Sequence, residues 1–520
     1  MARAPTGDAQ ADAPGWPSPE EIPHVPVGRR IAVGTASQQA ALGIAVAVSV
    51  VTFTALGRTL SLAELGVYGL AVSFTTYLYF ALASAETAAV KSISEALTPG
   101  DRDRAFTTAV FVYGVFGLAA GIIVAVGGSL LMGVFDFSSG LVHQARLGVL
   151  VLGAGMVIGW PLRAFQDVLR ADQRFVRASA ADAIAALLQA TGLLVLLATD
   201  QPLWTLIAVG GSAPLFAGLA SLAVRVRLGS LPRMKPRLLE RSRTREFLRI
   251  AGLMFVTAAS DLAINSLDRT IVAAFRSAST IGLYEAAVRP NQLIRTFTGS
   301  FSVTLLPVMS RLRAEGDRTR ETELFVRGTR YMLAAVVPPT VAFMVLADKL
   351  LTAWLGDKFE PAAGATAIFL AWWLFAPSVS VASTMFVVEG RVGRLAAYSW
   401  LIAGVNLTLS IVLTWQLGLV GVAIGTTIGY LVAFPLFMRE ALRTTTVSLG
   451  EFARRVWLPA YGVGAALAAA LALTRLVLPL DSILELAVVW IASVLLAWAA
   501  FYRLCMDPDE RAILRGLVRG

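Results

Sequence analysis

Apolar and polar residues in this chain are segregated into long blocks rather than alternating within single turns. Windows of about 20 mostly apolar residues, the length that crosses a hydrocarbon core, recur from residue 31 almost to the end. They predict helices over roughly 31–56, 64–90, 105–134, 145–168, 177–198 and 202–225. A second set of six covers roughly 248–275, 279–310, 331–353, 362–388, 395–416 and 418–440, and two more close the chain near 456–478 and 482–504. Helices are the economical reading, because lipid offers no partner to an unpaired backbone group. Before them, MARAPTGDAQADAPGWPSPEEIPHVPVGRR is rich in Pro, Ala and acids. It lacks the apolar core of a cleavable signal peptide and reads as a disordered tail.

Composition agrees: 57% of residues are hydrophobic and 15% are charged, against about 25% charged in soluble domains. Charge then sets the orientation, because basic residues collect on the cytoplasmic side. With the N-terminus inside, 35 of the 44 Lys and Arg fall in cytoplasmic segments and six in external loops, namely Arg58, Arg146, Arg276, Lys349, Lys358 and Arg475. Arg269, Arg289 and Arg295 fall inside helices. The asymmetry explains the net charge of +10 as a face laid against anionic lipid, without a nucleic-acid partner.

The pattern also repeats. ADQRFVR (Ala171–Arg177) is echoed by VEGRVGR (Val388–Arg394) at an offset of 217 residues, each between long apolar blocks. LGVYGLAV at Leu65 and IGLYEAAV at Ile281 stand 216 apart, and Gln189 and Asn406 stand 217 apart. A shared register implies an internal duplication. Each copy holds an even number of helices, so both enter the membrane in the same direction.

The expected architecture is therefore an all-α integral membrane protein of about 14 transmembrane helices with both termini cytoplasmic. It divides into a tail (1–30), a six-helix bundle (31–226), a basic cytoplasmic linker (227–247), a parallel six-helix bundle (248–441), two further helices (442–505) and a cytoplasmic tail (506–520). Paired bundles of this kind enclose a site and alternate its access. The arginines of the two echoing connectors are then either hinge anchors at the headgroups or simply part of the positive-inside signal.

Two stretches carry a family resemblance. Gly390–Phe434 has a Gly-Arg hinge, an Asn in the middle of its first helix, and Gly-Leu-Val-Gly-Val-Ala-Ile-Gly entering the next. Asp268–Leu312 has an acid near the close of one helix, GLY opening the next and Leu-Pro-Val-Met-Ser ending it. Over about 31–441 the chain resembles the polysaccharide transporters, the lipid-linked oligosaccharide flippases of the multidrug/oligosaccharidyl-lipid/polysaccharide exporter superfamily. The resemblance implies a non-enzymatic role in the cell (plasma or inner) membrane. A polyprenyl-pyrophosphate-linked oligosaccharide would pass from the inner to the outer leaflet by alternating access, driven by an ion gradient. The implied partners are that substrate, membrane lipids and polysaccharide assembly proteins, with no cofactor beyond a coupling ion, H⁺ or Na⁺.

Such a substrate needs a polar route, and polar residues do occur within the apolar blocks. Asp261, Asn265 and Asp268 are spaced i, i+4 and i+7, with Arg269 beside them, which places them on one helical face. Arg289, Gln292 and Thr296 share a face, with Arg295 at its margin and Pro290 removing one backbone donor. Ser73, Thr76, Ser84 and Thr87 form a third stripe ending at Lys91 and flanked by Glu86. Ionisable groups at membrane depth face a bundle interior or cavity. Arg289, Arg295, Gln292 and Arg269 are thus expected to contact an anionic substrate, or else to pair with Asp268 or Asp261 as internal locks. Asp261, Asp268 and Glu86 are expected to bind the coupling ion.

Other features carry less. Gly421, Gly425 and Gly429, like Gly155 and Gly159, have the spacing of close helix packing, and Pro338–Pro339 suggests a bend. Cys505 is the single cysteine, His24 and His143 lie far apart, and the Asp-X-Asp patterns near Asp101 and Asp507 sit in charged loops. These exclude intramolecular disulfides and argue against a metal centre. The rival classes are a cation-coupled multidrug antiporter of the same superfamily and a membrane polysaccharide polymerase or ligase, which the short external loops disfavour.

Overall fold

The computed structural model describes residues 27–512 apart from 230 and 509. His24, most of the expected tail at 1–30, residues 513–520 and the side chain of Asn265 lie outside the described residues. Each expected apolar segment is helical, and no strand occurs among the described residues. The chain begins with α1 (Val27–Thr59), α2 (Leu62–Glu95), α3 (Pro99–Val134), α4 (Ser139–Ala171) and α5 (Phe175–Ala198). A bent pair follows, α6 (Leu203–Gly210) and α7 (Ala213–Arg227). Next come α8 (Arg241–Asn265), α9 (Asp268–Phe275), α10 (Ala278–Ala314), α11 (Arg318–Val345) and α12 (Ala347–Leu355). A second bent pair, α13 (Asp357–Leu374) and α14 (Ala376–Val388), leads to α15 (Val392–Leu417), α16 (Leu419–Arg443), α17 (Leu449–Val477) and α18 (Ile483–Leu504).

Among the described residues, eleven helices are long and apolar enough to cross a membrane, and up to thirteen spans result if each bent pair counts as one. The 37-residue α10 is not among them. Its first half carries Glu285, Arg289, Asn291, Gln292 and Arg295.

The chain folds as two units. One comprises residues up to Thr59 together with Val67–Leu262, the other Leu60–Gly66 together with the chain from Ala263 onward. The division falls inside α8 rather than in the basic linker, because the linker and the start of α8 are tied into the first unit. Asp103 Oδ1 accepts from the Arg233 amide at 3.0 Å, Arg243 Nη2 donates to Asp101 at 2.7 Å, and Phe247 meets Tyr113 edge-on with centroids 6.4 Å apart. In the second unit, α10, α11, α14, α16 and α17 share an aromatic-rich core in which Phe325 stacks on Phe452 and Phe386 on Phe437.

The two echoing connectors have the same backbone. After α4, the Arg174 amide donates to Leu169 O at 2.8 Å and the Gln173 amide to Arg170 O at 3.0 Å. After α14, Arg391 donates to Phe386 O at 2.8 Å and Gly390 to Val387 O at 3.0 Å. This pair of bonds is the glycine-type helix stop whose middle residue is left-handed, and φ is 55° at Gln173 and 73° at Gly390. The connector acid, rather than its arginines, is the buried element. Asp172 pairs with Arg102 and with Arg225 at 3.1 Å, and Glu389 pairs with Arg313 at 3.2 Å and Arg391 at 3.2 Å.

The LGVY and IGLY echo is explained by packing. In the second unit Gly66 lies against the Ala278 carbonyl and Gly282 against that of Leu62, so a methyl group on either would collide with backbone. Gly425 and Gly429 of α16 likewise press on Ser410 and Asn406 of α15, and Gly159 presses on Leu215, whereas Gly155 faces open space. Neither Pro290 nor Pro338–Pro339 interrupts its helix.

Candidate functional site

In the second unit, α9, α10 and α16 bring polar groups together. Asp268 opens α9 and is buried. Its Oδ2 accepts from the Thr426 hydroxyl at 3.1 Å, and its Oδ1 has no hydrogen-bond donor. The Arg269 guanidinium pairs with Glu285 of α10 and lies 5.7 Å from the Tyr284 ring centre. Arg289, one turn further along, approaches the same Glu285 at 3.6 Å, and its Nη1 donates to Gln292 Oε1 at 3.4 Å. Glu285 is 1% exposed, so two arginines share one buried carboxylate. Arg295 stands further along α10 with its side chain exposed. Three of the four expected substrate residues are thus gathered, around an acid that the sequence reading passed over. An ionised pair inside a protein still attracts a polyanion when its cations outnumber its acids, and in this cluster Arg269, Arg289 and Arg295 outnumber Asp268 and Glu285.

The expected stripe of Asp261, Asn265 and Asp268 is corrected by a break. α8 stops at Asn265 and α9 starts at Asp268, so the three do not share one continuous helix. The freed Ile264 carbonyl accepts from Asn406 Nδ2 at 3.2 Å. Asp261 is half-buried and belongs to the first unit, whereas Asp268 belongs to the second.

The first unit holds a second cluster, around Glu86 of α2. Arg163 Nε of α4 donates to Glu86 Oε1 at 2.8 Å and Arg170 Nη1 to Oε2 at 3.3 Å. Both arginines also approach Asp182 of α5, at 3.6 and 3.7 Å. Asp167, between them on α4, accepts from the Tyr113 hydroxyl at 2.6 Å. Arg163, Asp167 and Arg170 are spaced i, i+4 and i+7 and so project from one face. Glu86 stands out in the sequence as an acid inside an apolar run, whereas Arg163 and Arg170 merge there with the cytoplasmic basic residues. The hydroxyls of Ser73, Ser84 and Thr87 bond carbonyls of their own helix. Among the described residues, no group of three or more His, Cys, Asp or Glu is placed to hold a metal ion.

A family model described as "Polysaccharide biosynthesis protein" matches residues 55–364, more than half of the chain. The chain is 25% identical over 167 residues to the "Probable low-salt glycan biosynthesis flippase Agl15" of Haloferax volcanii, over 32% of this chain and 35% of that protein. The match thus spans about a third of that curated relative. In fold the chain is similar to the "Lipid II flippase MurJ" in an inward closed conformation, with a TM-score of 0.73 at 16% identity over 90% of this chain and 98% of the other. It is also similar to an inward-facing multidrug resistance MATE family transporter of the MOP superfamily, with a TM-score of 0.54 at 14% identity over 80% of this chain and 99% of the other. These relatives are by name flippases and transporters rather than enzymes, in keeping with the resemblance read from the sequence. The chain belongs to the polysaccharide biosynthesis protein family, and it is a multi-pass membrane protein with the fold of the exporter superfamily.

Proposed function

We propose that the chain is a flippase that carries polyprenyl-pyrophosphate-linked oligosaccharide from the inner to the outer leaflet of the cell membrane by alternating access. The observation that carries this reading is the polysaccharide biosynthesis family match over residues 55–364. The MurJ-like fold supports it, as does the excess of arginine on α9 and α10. The diphosphate offers oxygens that fit a guanidinium fork, and Arg295, whose side chain is exposed, is the arginine best placed to meet it first. Arg289 and Gln292 follow along α10, and Arg269 of α9 is joined to them through Glu285. Asp268, with one buried oxygen lacking a donor, is the carboxylate best suited to take a coupling H⁺ or Na⁺. Asp261 and Glu86 are the other candidates, and Glu86 is already held by two arginines.

The test is made in cells lacking the gene, by radiolabelling the polyprenyl-linked sugars and asking how much accumulates and in which leaflet. A complete repeat unit should collect on the cytoplasmic face, be cleared by the wild-type chain and not by Arg295→Ala. Intermediates at normal level and sidedness, together with raised drug sensitivity, would transfer the assignment to the multidrug antiporter class. Reconstituted transport that ignores both H⁺ and Na⁺ gradients would remove the coupling role.

A further inference from the structure

Arg170 is the hub of the first-unit cluster. Its guanidinium stands 3.3 Å from Glu86, 3.5 Å from Asp167 and 3.7 Å from Asp182. Only the bond to Glu86 has hydrogen-bond geometry. The three carboxylates are therefore unequal. Glu86 also accepts from Arg163 at 2.8 Å, so two cations answer its charge. The Asp182 side chain is 43% exposed. Asp167 is fully buried, with the Tyr113 hydroxyl on Oδ2 and no hydrogen-bond donor on Oδ1.

A carboxylate in that position is closed in on all sides, keeps one hydroxyl bond and has its nearest guanidinium at 3.5 Å outside hydrogen-bond geometry, and a buried acid so placed takes up a proton instead. Three acids against two arginines within one cluster give the same result by charge count. We infer that Asp167 is a proton-exchange site of the first unit, switched by Arg170. A shift of the guanidinium by about 1 Å, from Glu86 Oε2 to Asp167 Oδ1, would turn an approach into a bonded ion pair. The O–H bond of Asp167 then breaks, its proton passes to bulk water as hydronium, and the carboxylate keeps the electron pair while Glu86 keeps Arg163. Return of Arg170 to Glu86 restores the proton.

The groups facing Asp167 are Tyr79 and Glu86 from α2, Tyr113 from α3, Arg163 and Arg170 from its own helix, and Asp182 from α5. Arg225 of α7 is engaged by Asp172 at 3.1 Å, and α6 carries no titratable residue. The site is separate from the α9–α10 cluster and does not depend on the identity of the substrate. Only its consequence, that transport consumes a proton gradient, rests on the transporter reading.

The test is infrared spectroscopy on the purified full chain in lipid nanodiscs, titrated between about pH 5 and 9. A protonated-carboxyl band should persist at neutral pH in the wild type and be missing in Asp167→Asn. Arg170→Gln removes the cation that expels the proton, so the band should survive to higher pH. Tyr113→Phe should move its frequency. A wild type without such a band at neutral pH, or a band unchanged in Asp167→Asn, overturns the proposal. If Asp167→Asn does not fold, Arg170→Gln decides, since an unmoved titration also overturns it. Because no substrate is present, a failed flippase assay leaves this readout intact.

Discussion

A glutamine held at φ 55° and a glycine at φ 73° occupy the same place in two copies of one turn. The left-handed region costs a residue with a Cβ roughly 1–2 kcal/mol, so the first copy carries a strain that the second avoids. Nothing lies within 4 Å of where a Gly390 Cβ would sit, which makes the cost there purely conformational. Gly390→Ala should destabilise the chain by about 1 kcal/mol and Gln173→Gly should be neutral or stabilising, both read by thermal unfolding in detergent. Glu285 offers a sharper contrast. Glu285→Ala leaves Arg269 and Arg289 without their shared acid, and a broken buried ion pair costs about 3 kcal/mol or more. Adding Arg289→Ala should return part of that loss, whereas additive effects would mean that the two side chains do not interact. At this scale the sequence was legible where a charge interrupts a long apolar run, as at Arg269, Arg289 and Glu86. It was not legible at Arg163 and Arg170, which lead into a cytoplasmic connector that already carries Arg174 and Arg177. There a buried arginine and a headgroup-facing one have the same local sequence, and the deciding partner, Glu86, lies 77 residues from Arg163.

Long apolar blocks announce helices well, and every expected segment contains one. Breaks inside them are announced only when glycine or proline is present. The 53° bend between α6 and α7 coincides with Gly210–Gly211, the break between α8 and α9 has neither residue, and both fall inside segments expected as single helices. Both breaks free carbonyls that lipid cannot satisfy, and in both an amide side chain serves them. Gln189 donates to Val209 O at 3.1 Å and Gly210 O at 2.6 Å, and its repeat counterpart Asn406 donates to Ile264 O at 3.2 Å. The two amides match in the duplication although the helices they cap do not, so the repeat preserved a donor and redirected its use. Gln189→Leu should cost about 2 kcal/mol. Gly282→Ala, which drives a methyl into the Leu62 carbonyl, should cost at least as much, since overpacking runs to about 1–3 kcal/mol. Gly43→Ala, where nothing lies within 4 Å, serves as the control that should leave unfolding unchanged or slightly raised.

For the whole molecule, the open quantity is parity. Fourteen crossings return the C-terminus to the side of the N-terminus, and thirteen, the count without α10, do not. Cys505, the one cysteine of the chain, follows directly after α18 and reports the side. With fourteen spans, a membrane-impermeant maleimide should modify Cys505 in inside-out vesicles and not in intact cells, and the reverse pattern would establish an odd count. The reaction has a second control built into it. Burial pushes the Cys505 thiol up, so little thiolate is present at neutral pH and labelling should accelerate as pH rises toward the folded value. The described residues just after it, within the cytoplasmic tail expected at 506–520, are packed. Met506 packs with Ala334 and Phe501, and Glu510 is buried and pairs with Arg330 and, at 3.7 Å, with Arg327. Burial alone would raise the Glu510 carboxyl, but hydrogen bonds from Tyr331 and the Asp507 amide, with the Arg330 and Arg327 charges, hold it below its ordinary value. A carboxyl lowered in the folded state contributes stability above its unfolded pKa of about 4.3 and loses it as pH falls through the folded value. At neutral pH the segment is therefore fastened, and Glu510→Gln should loosen it, raising the Cys505 labelling rate without changing the side from which the label enters. An unchanged rate in Glu510→Gln would show that Met506 and its apolar neighbours hold the segment without the ion pair.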